Sequence, residues 1–400
     1  MTTFSSASVK KHGLLLLGIL TIATTLRVTF TGAAPLLDMV RATFGLTTAQ
    51  TGVLTTLPLL AFAVVSPMAA GIARRFGTER SLFGALIIIC AGIALRSAGS
   101  ASLLYIGTAI IGCGIAMGNV LLPSLIKRDF PGQVARLTGA YSLTMGVAAA
   151  IGSVMVVPVA LHGYGWQGAL MALMIFPVVA LLLWLPQLAN HAPANLSANA
   201  ALHSRGIWTS PLAWQVTMYL GINSLIYYVI IGWLPSILIS YGYSEAQAGS
   251  LHGLLQLATA IPGLFIGLML SRLKDQRGIA VLMAMLWCLS AVGLWLLPGF
   301  AGVWVCIGGF GSGAAMILGL SFIGLRTGSA HQAAALSGMA QCVGYLLAAF
   351  GPPVMGKIHD VSGSWSLPLL GCALLSIAMA AFGARAGRNA EIGSAANVRR

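Results

Sequence analysis

An all-α, polytopic membrane protein, with twelve transmembrane helices in two six-helix bundles, is the fold class this sequence predicts. Three observations predict it. The 400 residues are 58% hydrophobic and 7% charged, with a mean hydropathy of +0.93, far too apolar for a soluble domain of this length. Apolar runs of about 20 residues, the length that crosses a bilayer as a helix, recur along the whole chain. The two halves of the sequence also repeat one another in order.

The first run, 13–36, follows the basic residues Lys10 and Lys11. It mimics a secretory signal, but its apolar stretch is too long and no small-residue cleavage site follows, so a retained first helix is expected. Runs at 49–72, 81–98, 101–125, 134–160 and 167–186 complete a first bundle. The stretch "PQLANHAPANLSANAALHSRG" at 186–206 is polar and rich in Asn and Ala, as a linker is. Runs at 211–235, 246–270, 278–297, 301–325, 333–355 and 366–385 follow it. The expected organisation is therefore 1–186 as an N-terminal bundle, 187–209 as a cytoplasmic linker and 210–400 as a C-terminal bundle. The six cysteines all lie inside apolar runs without a CxxC pair, and read as buried hydrophobes.

A net charge of +14 suggests nucleic acid in a soluble protein, but the positions point elsewhere. With the N-terminus in the cytoplasm, all of the 21 Lys and Arg except Arg27, Arg41, Arg96 and Lys357 fall on the cytoplasmic side. Arg41, Arg96 and Lys357 are expected outside, and Arg27 within a span. The positive-inside rule thus predicts cytoplasmic N- and C-termini. Lipid, rather than nucleic acid, is the expected surroundings.

The repeat is specific. "AQTGVL" (49–54) matches "AQAGSL" (246–251), Arg75 and Arg80 match Arg272 and Arg277, and "GCGIAM" (112–117) matches "GSGAAM" (311–316). "LTG" (137–139) matches "LSG" (336–338), and Trp166 matches Trp365. All lie at a nearly constant offset of about 200 residues, which implies two bundles in the same orientation.

This doubled architecture resembles the major facilitator superfamily. That family's loop between helices 2 and 3 usually reads G-x-x-x-D-R-x-G-R-R/K. Here "AGIARRFGTER" (70–80) keeps Arg75 and Gly77 but has Arg74 in place of the Asp, and the second copy, "GLMLSRLKDQR" (267–277), has Ser271 there. Arg75, Arg80, Arg272 and Arg277 are the gating-loop candidates, and the latch the Asp normally makes must differ. At finer grain the chain is similar to the cyanate-permease and 2-nitroimidazole-transporter branch. The stretches "TTLRVTFTGAAPLLDMVR", "GNVLLPSLIKRDFP", "GINSLIYYVIIGWLP" and "SGMAQCVGYLLAAFGPP" carry that likeness. The resemblance implies alternating-access movement of a small nitro-aromatic or anionic solute across a bacterial inner membrane. Export is implied for nitroimidazoles, uptake for cyanate-like anions.

Arg27 lies in the middle of the first run, where a guanidinium costs roughly 2.5–3.5 kcal/mol on insertion scales and stays protonated. All seven acids, Asp38, Glu79, Asp129, Glu245, Asp275, Asp360 and Glu391, fall in loops or at helix ends, so no carboxylate is expected at its depth. A planar fork suits two oxygens of a nitro or carboxylate group, which makes Arg27 the expected solute anchor. Thr24 and Thr31 share its helical face. The other candidates are Asn119 on helix 4, Tyr141 on helix 5, Asn223 and Tyr227 on helix 7, Gln256 on helix 8, and Gln341 and Tyr345 on helix 11. Interhelical bonding alone would account for any one of them. The resemblance places helices 1, 4, 7 and 10 around a central cavity.

His252 on helix 8 is the candidate for proton coupling, since no membrane carboxylate is present. Glycine pairs on helix 4 (Gly114, Gly118) and helix 10 (Gly309, Gly313) permit close helix contact, and "GPP" (351–353) is expected to bend helix 11. "GPPVMGKI" (351–358) has P-loop spacing but ends in Ile358 where Ser or Thr should hold magnesium. No cofactor or metal is expected, no catalytic constellation is present, and the chain reads as a monomeric carrier rather than an enzyme. A channel is disfavoured because no pore ring is evident.

Overall fold

The computed structural model describes residues 6–130, 133–189, 205–266, 275–328 and 330–392, and among these every regular element is helical. Helix α1 spans Ser6–Thr31, α2 Thr48–Phe76, α3 Thr78–Arg96, α4 Ala101–Asp129 and α5 Val134–Val159; α6 runs as two segments, Gly165–Ala172 and Ile175–Trp184. The second series is α7 Pro211–Ser240, α8 Glu245–Ala260, α9 Arg277–Leu296, α10 Ala301–Leu325, α11 Ala330–Ser362 and α12 Ser366–Ala386. Ten described stretches are long and apolar enough to cross a membrane. One of them, Arg136–Ala189, is 54 residues and contains α6 and all but the first two residues of α5. Helix α8 falls short at 16 residues because a 3-10 turn, Ile261–Leu264, follows it. Most of the inter-bundle linker, with Arg272 and Ser271, lies outside the described residues.

The repeat in the sequence has a physical cause at the helix starts. In α2 the Thr47 hydroxyl accepts from the Gln50 N–H while the Gln50 side chain accepts from the Thr47 N–H, and Ser244 and Gln247 do the same at α8. Both are capping boxes. A feature absent from the sequence reading is the short helix Leu37–Phe44 after α1, ended by Gly45 at φ +63. There Arg41 pairs with Asp38 at 3.1 Å.

One apolar core draws its buried members from 207–392, while two others are built almost entirely from 19–184. A polar joint ties each half together near the basic end. In the first, buried Glu79 at the start of α3 pairs with Arg128 at 2.5 Å, and Trp184 donates to the Glu79 carbonyl at 2.9 Å. In the second, buried Arg326 donates to the Gln276 side chain at 2.5 Å and to the Ala386 and Gly387 carbonyls. Gln276 thus stands at the repeat position of Glu79, and a neutral amide replaces the carboxylate. Arg75 and Arg80 are exposed; Arg277, also exposed, pairs with Asp275 at 3.1 Å. Arg96, expected on the outer side, is not in solvent: it is the last residue of α3, at the end remote from the basic loops, and 2% exposed.

The halves meet through α2 with α11 and α5 with α8. Glycines allow this: a Cβ on Gly52 would lie 2.9 Å from the Pro352 carbonyl, and one on Gly253 2.9 Å from the Ala150 carbonyl. Helix α11 continues through Pro352 and Pro353 rather than breaking. Pro353 has no N–H to offer the Ala349 carbonyl, and Thr56 of α2 donates to that oxygen instead. At the end remote from the basic loops, Asp360 on α11 accepts from the Thr48 and Ala49 N–H groups at 3.2 and 3.0 Å. A carboxylate on a helix N-terminus satisfies orphan donors and the helix dipole together. This end of the molecule is therefore latched shut across the two halves.

Replacing Asp360 by Ala removes about 1–2 kcal/mol of that latch, a factor of roughly 5–30 in the closed-to-open ratio. The expected outcome is faster maleimide labelling of a cysteine placed at Thr55. An unchanged labelling rate would count against the latch.

Candidate functional site

Arg27 is half-buried on α1 and turns across to the other half of the molecule. Its Nε donates to the Tyr227 hydroxyl of α7 at 3.1 Å, its Nη2 donates to the same hydroxyl, and Nη2 also donates to Thr259 Oγ1 of α8 at 3.1 Å. The Tyr227 hydroxyl donates its proton to Gln256 Oε1 at 3.1 Å, and Thr259 donates to the Gln256 carbonyl at 2.7 Å. The guanidinium carbon lies 5.3 Å from the centre of the Tyr227 ring, a cation–π contact. Among the described residues Arg27 has no carboxylate partner, and its Nη1 has no hydrogen-bond partner there either. Neutral oxygens orient the charge without cancelling it.

Aromatic rings surround this cluster. Tyr227 and Tyr228 meet edge to face at 5.2 Å between centroids, Phe30 contacts Tyr228 at 5.8 Å, and Phe62 of α2 meets Tyr345 of α11 at 5.5 Å. Tyr141 and Tyr228 lie within electrostatic reach of both Tyr345 and Arg27. Asn119 is half-buried on α4. Among the described residues neither its amide nor the hydroxyls of Tyr141, Tyr228 and Tyr345 have a hydrogen-bond partner. Gln256 is fully buried and its Nε2 is likewise unpartnered. Buried polar groups are normally satisfied; the Gln256 amide and the half-buried groups beside it keep hydrogen-bonding capacity that no described residue uses.

Some expected residues are placed differently. Both ends of the Asn223 amide are used inside the second half: Oδ1 accepts from Trp287 Nε1 at 3.0 Å, and Nδ2 donates to the Ser312 carbonyl at 3.3 Å. Asn223 therefore clamps α7 to α9 and α10 and is not brought to the Arg27 cluster. Gln341 is exposed and donates to Ser337 one turn away at 3.2 Å. Thr31 and Thr24 do not form a polar lining, because their hydroxyls fold back onto the Arg27 and Thr21 carbonyls at 3.0 and 2.7 Å, as helical threonines often do. Thr24 faces a groove between α1, α5 and α6. His252 is buried among three helices, with Nδ1 2.9 Å from Ser153 Oγ and Nε2 3.0 Å from the Ile231 carbonyl. Tyr228 joins the cluster although no role was expected for it, and the Tyr-Tyr pair on α7 was the available signal.

Comparison with known proteins agrees with this architecture. Residues 16–349 match the model of the Major Facilitator Superfamily. The chain belongs to the Major Facilitator Superfamily. It is a membrane transporter and not an enzyme. The superfamily member described as the 2-nitroimidazole transporter of Escherichia coli (strain K12) is 70% identical, over 98% of this chain and 100% of its own length. The cyanate transport protein CynX of the same organism is 26% identical, over 88% of this chain and 91% of its own. Among solved superfamily structures, a mutant form of the nucleoside transporter NupG superposes with a TM-score of 0.75 at 15% identity. That match covers 93% of this chain and 99% of the other, a likeness of fold.

One close helix contact sits beside the Arg27 cluster. A Cβ on Gly313 of α10 would lie 2.0 Å from the Thr259 carbonyl of α8. Gly313→Ala must push α8 away and displace Thr259 from Arg27. The expected result is a solute affinity reduced about tenfold, in protein that still purifies as a folded species. Wild-type affinity in that variant would show that Thr259 does not position Arg27.

Proposed function

We propose that this chain is an alternating-access carrier of a small, flat, nitro-aromatic or anionic solute, and that 2-nitroimidazole export is its activity. One observation carries the reading. A permanently charged guanidinium is held at the meeting of both halves by neutral oxygens, among open hydrogen-bond donors and tyrosine rings. Arg27 anchors the nitro or anionic oxygens, Tyr141, Tyr227, Tyr228 and Tyr345 form flat walls, and Asn119 and Gln256 orient the ring. The 70% identity to the 2-nitroimidazole transporter supports the choice of solute. A cyanate-like anion taken up by the same anchor is the second reading, favoured by the likeness to CynX; the aromatic walls suit a ring better than a linear triatomic ion.

The two bundles, 1–186 and 210–400, rock about this site as a monomer in a bacterial inner membrane, with both termini cytoplasmic. The latched end then faces outward. Arg75, Arg80 and Arg277, at the adjoining ends of α2 and α3 and at the start of α9, are assigned with Arg272 to the cytoplasmic gate.

Arg27→Ala is expected to abolish 2-nitroimidazole binding measured by calorimetry on purified protein. Arg27→Lys should keep part of it, since the charge remains but the fork is lost. Wild-type affinity in Arg27→Ala sinks the assignment, and cyanate binding without nitroimidazole binding selects the second reading.

His252 is assigned to proton coupling. A neutral ring donates from Nε2 to Ile231 and accepts at Nδ1 from Ser153. Protonation makes Nδ1 a donor, and the Ser153 proton then turns to the Ala149 carbonyl, 2.8 Å away. In proteoliposomes an imposed pH gradient should change transport by the wild type and not by His252→Gln. Equal responses would remove His252 from the coupling scheme.

A further inference from the structure

A second guanidinium in the membrane region, Arg96, is buried more completely than Arg27 and is absent from the site above. At 2% exposed it is one of the largest sealed side chains of the protein. Its Nη1 donates to the Thr29 carbonyl of α1 at 2.8 Å. Its Nε and Nη2 have no hydrogen-bond partner among the described residues. None of the ion pairs among those residues includes it.

The two idle nitrogens are not a random pair. Nε–H and Nη2–H lie on the same edge of the guanidinium plane and point in parallel, the edge that grips two oxygens at once. Arg96 lines a cavity of about 30 Å³ with Phe30, Thr31, Thr55, Thr108 and Gly232. Thr55 is 6% exposed, and its hydroxyl has no hydrogen-bond partner among the described residues, so a further donor is available. A buried, unneutralised guanidinium with two open donors is strongly unfavourable unless water or an anion completes it, and an anion also neutralises the charge.

We propose that Arg96 forms a second anion-binding site, separate from the Arg27 chamber, which takes a small planar oxyanion of formate or nitrate size. Size sets the class: the cavity is far smaller than the ~150 Å³ void that accepts benzene, so an aromatic ring is excluded. Its walls come from both halves, Thr55 on α2 and Gly232 on α7, and a Cβ on Gly232 would lie 3.1 Å from Thr55 Oγ1. An anion here therefore favours the conformer in which the latched end is shut. Phe30 separates the two sites, since it lines this cavity and packs its ring on Tyr228 of the chamber.

The test is calorimetric titration of sodium formate and sodium nitrate into purified full-length protein at constant ionic strength. Arg27→Ala, which disables the chamber, is expected to bind both ions as the wild type does. Arg96→Lys, which keeps the charge but loses the fork, should bind about tenfold more weakly or worse. Thr55→Val should be weakened by a smaller factor, and provides a readout if Arg96 variants do not fold. Saturating 2-nitroimidazole should leave formate binding to the wild type in place. Loss of formate binding in Arg27→Ala, or full competition by 2-nitroimidazole, assigns the anion to the chamber and overturns the proposal. Unchanged binding in both Arg96→Lys and Thr55→Val overturns it as well.

Discussion

Arg27 carries a charge that its surroundings do not neutralise, and a cluster of neutral oxygens from the other half of the molecule is arranged around it. In hydrocarbon an arginine needs a carboxylate, water or a ligand. Here Tyr227 and Thr259, both from the second half, receive two of its nitrogens and leave Nη1 open. The contact spans the molecule, from α1 to α7 and α8. Any rearrangement that separates the halves must therefore break the hydrogen bonds that aim the anchor. With Arg27 as the proposed solute anchor, recognition and conformational change would act on the same few groups, and binding would bias a two-state element directly.

The rest of the fold supports this arrangement. Capping boxes start α2 and α8 at matched positions, and glycines bring α2 against α11, α5 against α8 and α10 against α8. Each half has its own arginine-centred joint near the basic end, Arg128 with Glu79 in the first and Arg326 with Gln276 and backbone carbonyls in the second. Two halves, each held together by its own joint and meeting along α2–α11 and α5–α8, suit a rocking carrier.

The helices and their doubled order were legible because hydrophobic length and an internal repeat are one-dimensional signals. Arg27 was legible for a similar reason, as a lone charge in an apolar run. Asn223 and Gln341 show the limit: each shares a helical face with a site residue, but rotation about the helix axis alone does not say whether Trp287 or Ser337 takes the side chain first. The threonines flanking Arg27 failed differently, because a helical hydroxyl has its own carbonyls as local competitors. Arg96 looked like a loop charge since it ends a helix, and only the packing of α1 over that end shows it to be enclosed. Proline in α11 signalled a bend; that a hydroxyl of the neighbouring helix takes the bond the ring cannot make was not legible in the sequence.

That repair has a consequence for how the closed end comes apart. The Ala349 oxygen has no amide proton waiting in its own helix, so Thr56 is its protein donor at that position. When α2 swings away, the oxygen is stranded in a dry seam until a water molecule reaches it. Parting of this seam is thus coupled to its wetting, since water must take the place of the Thr56 hydroxyl.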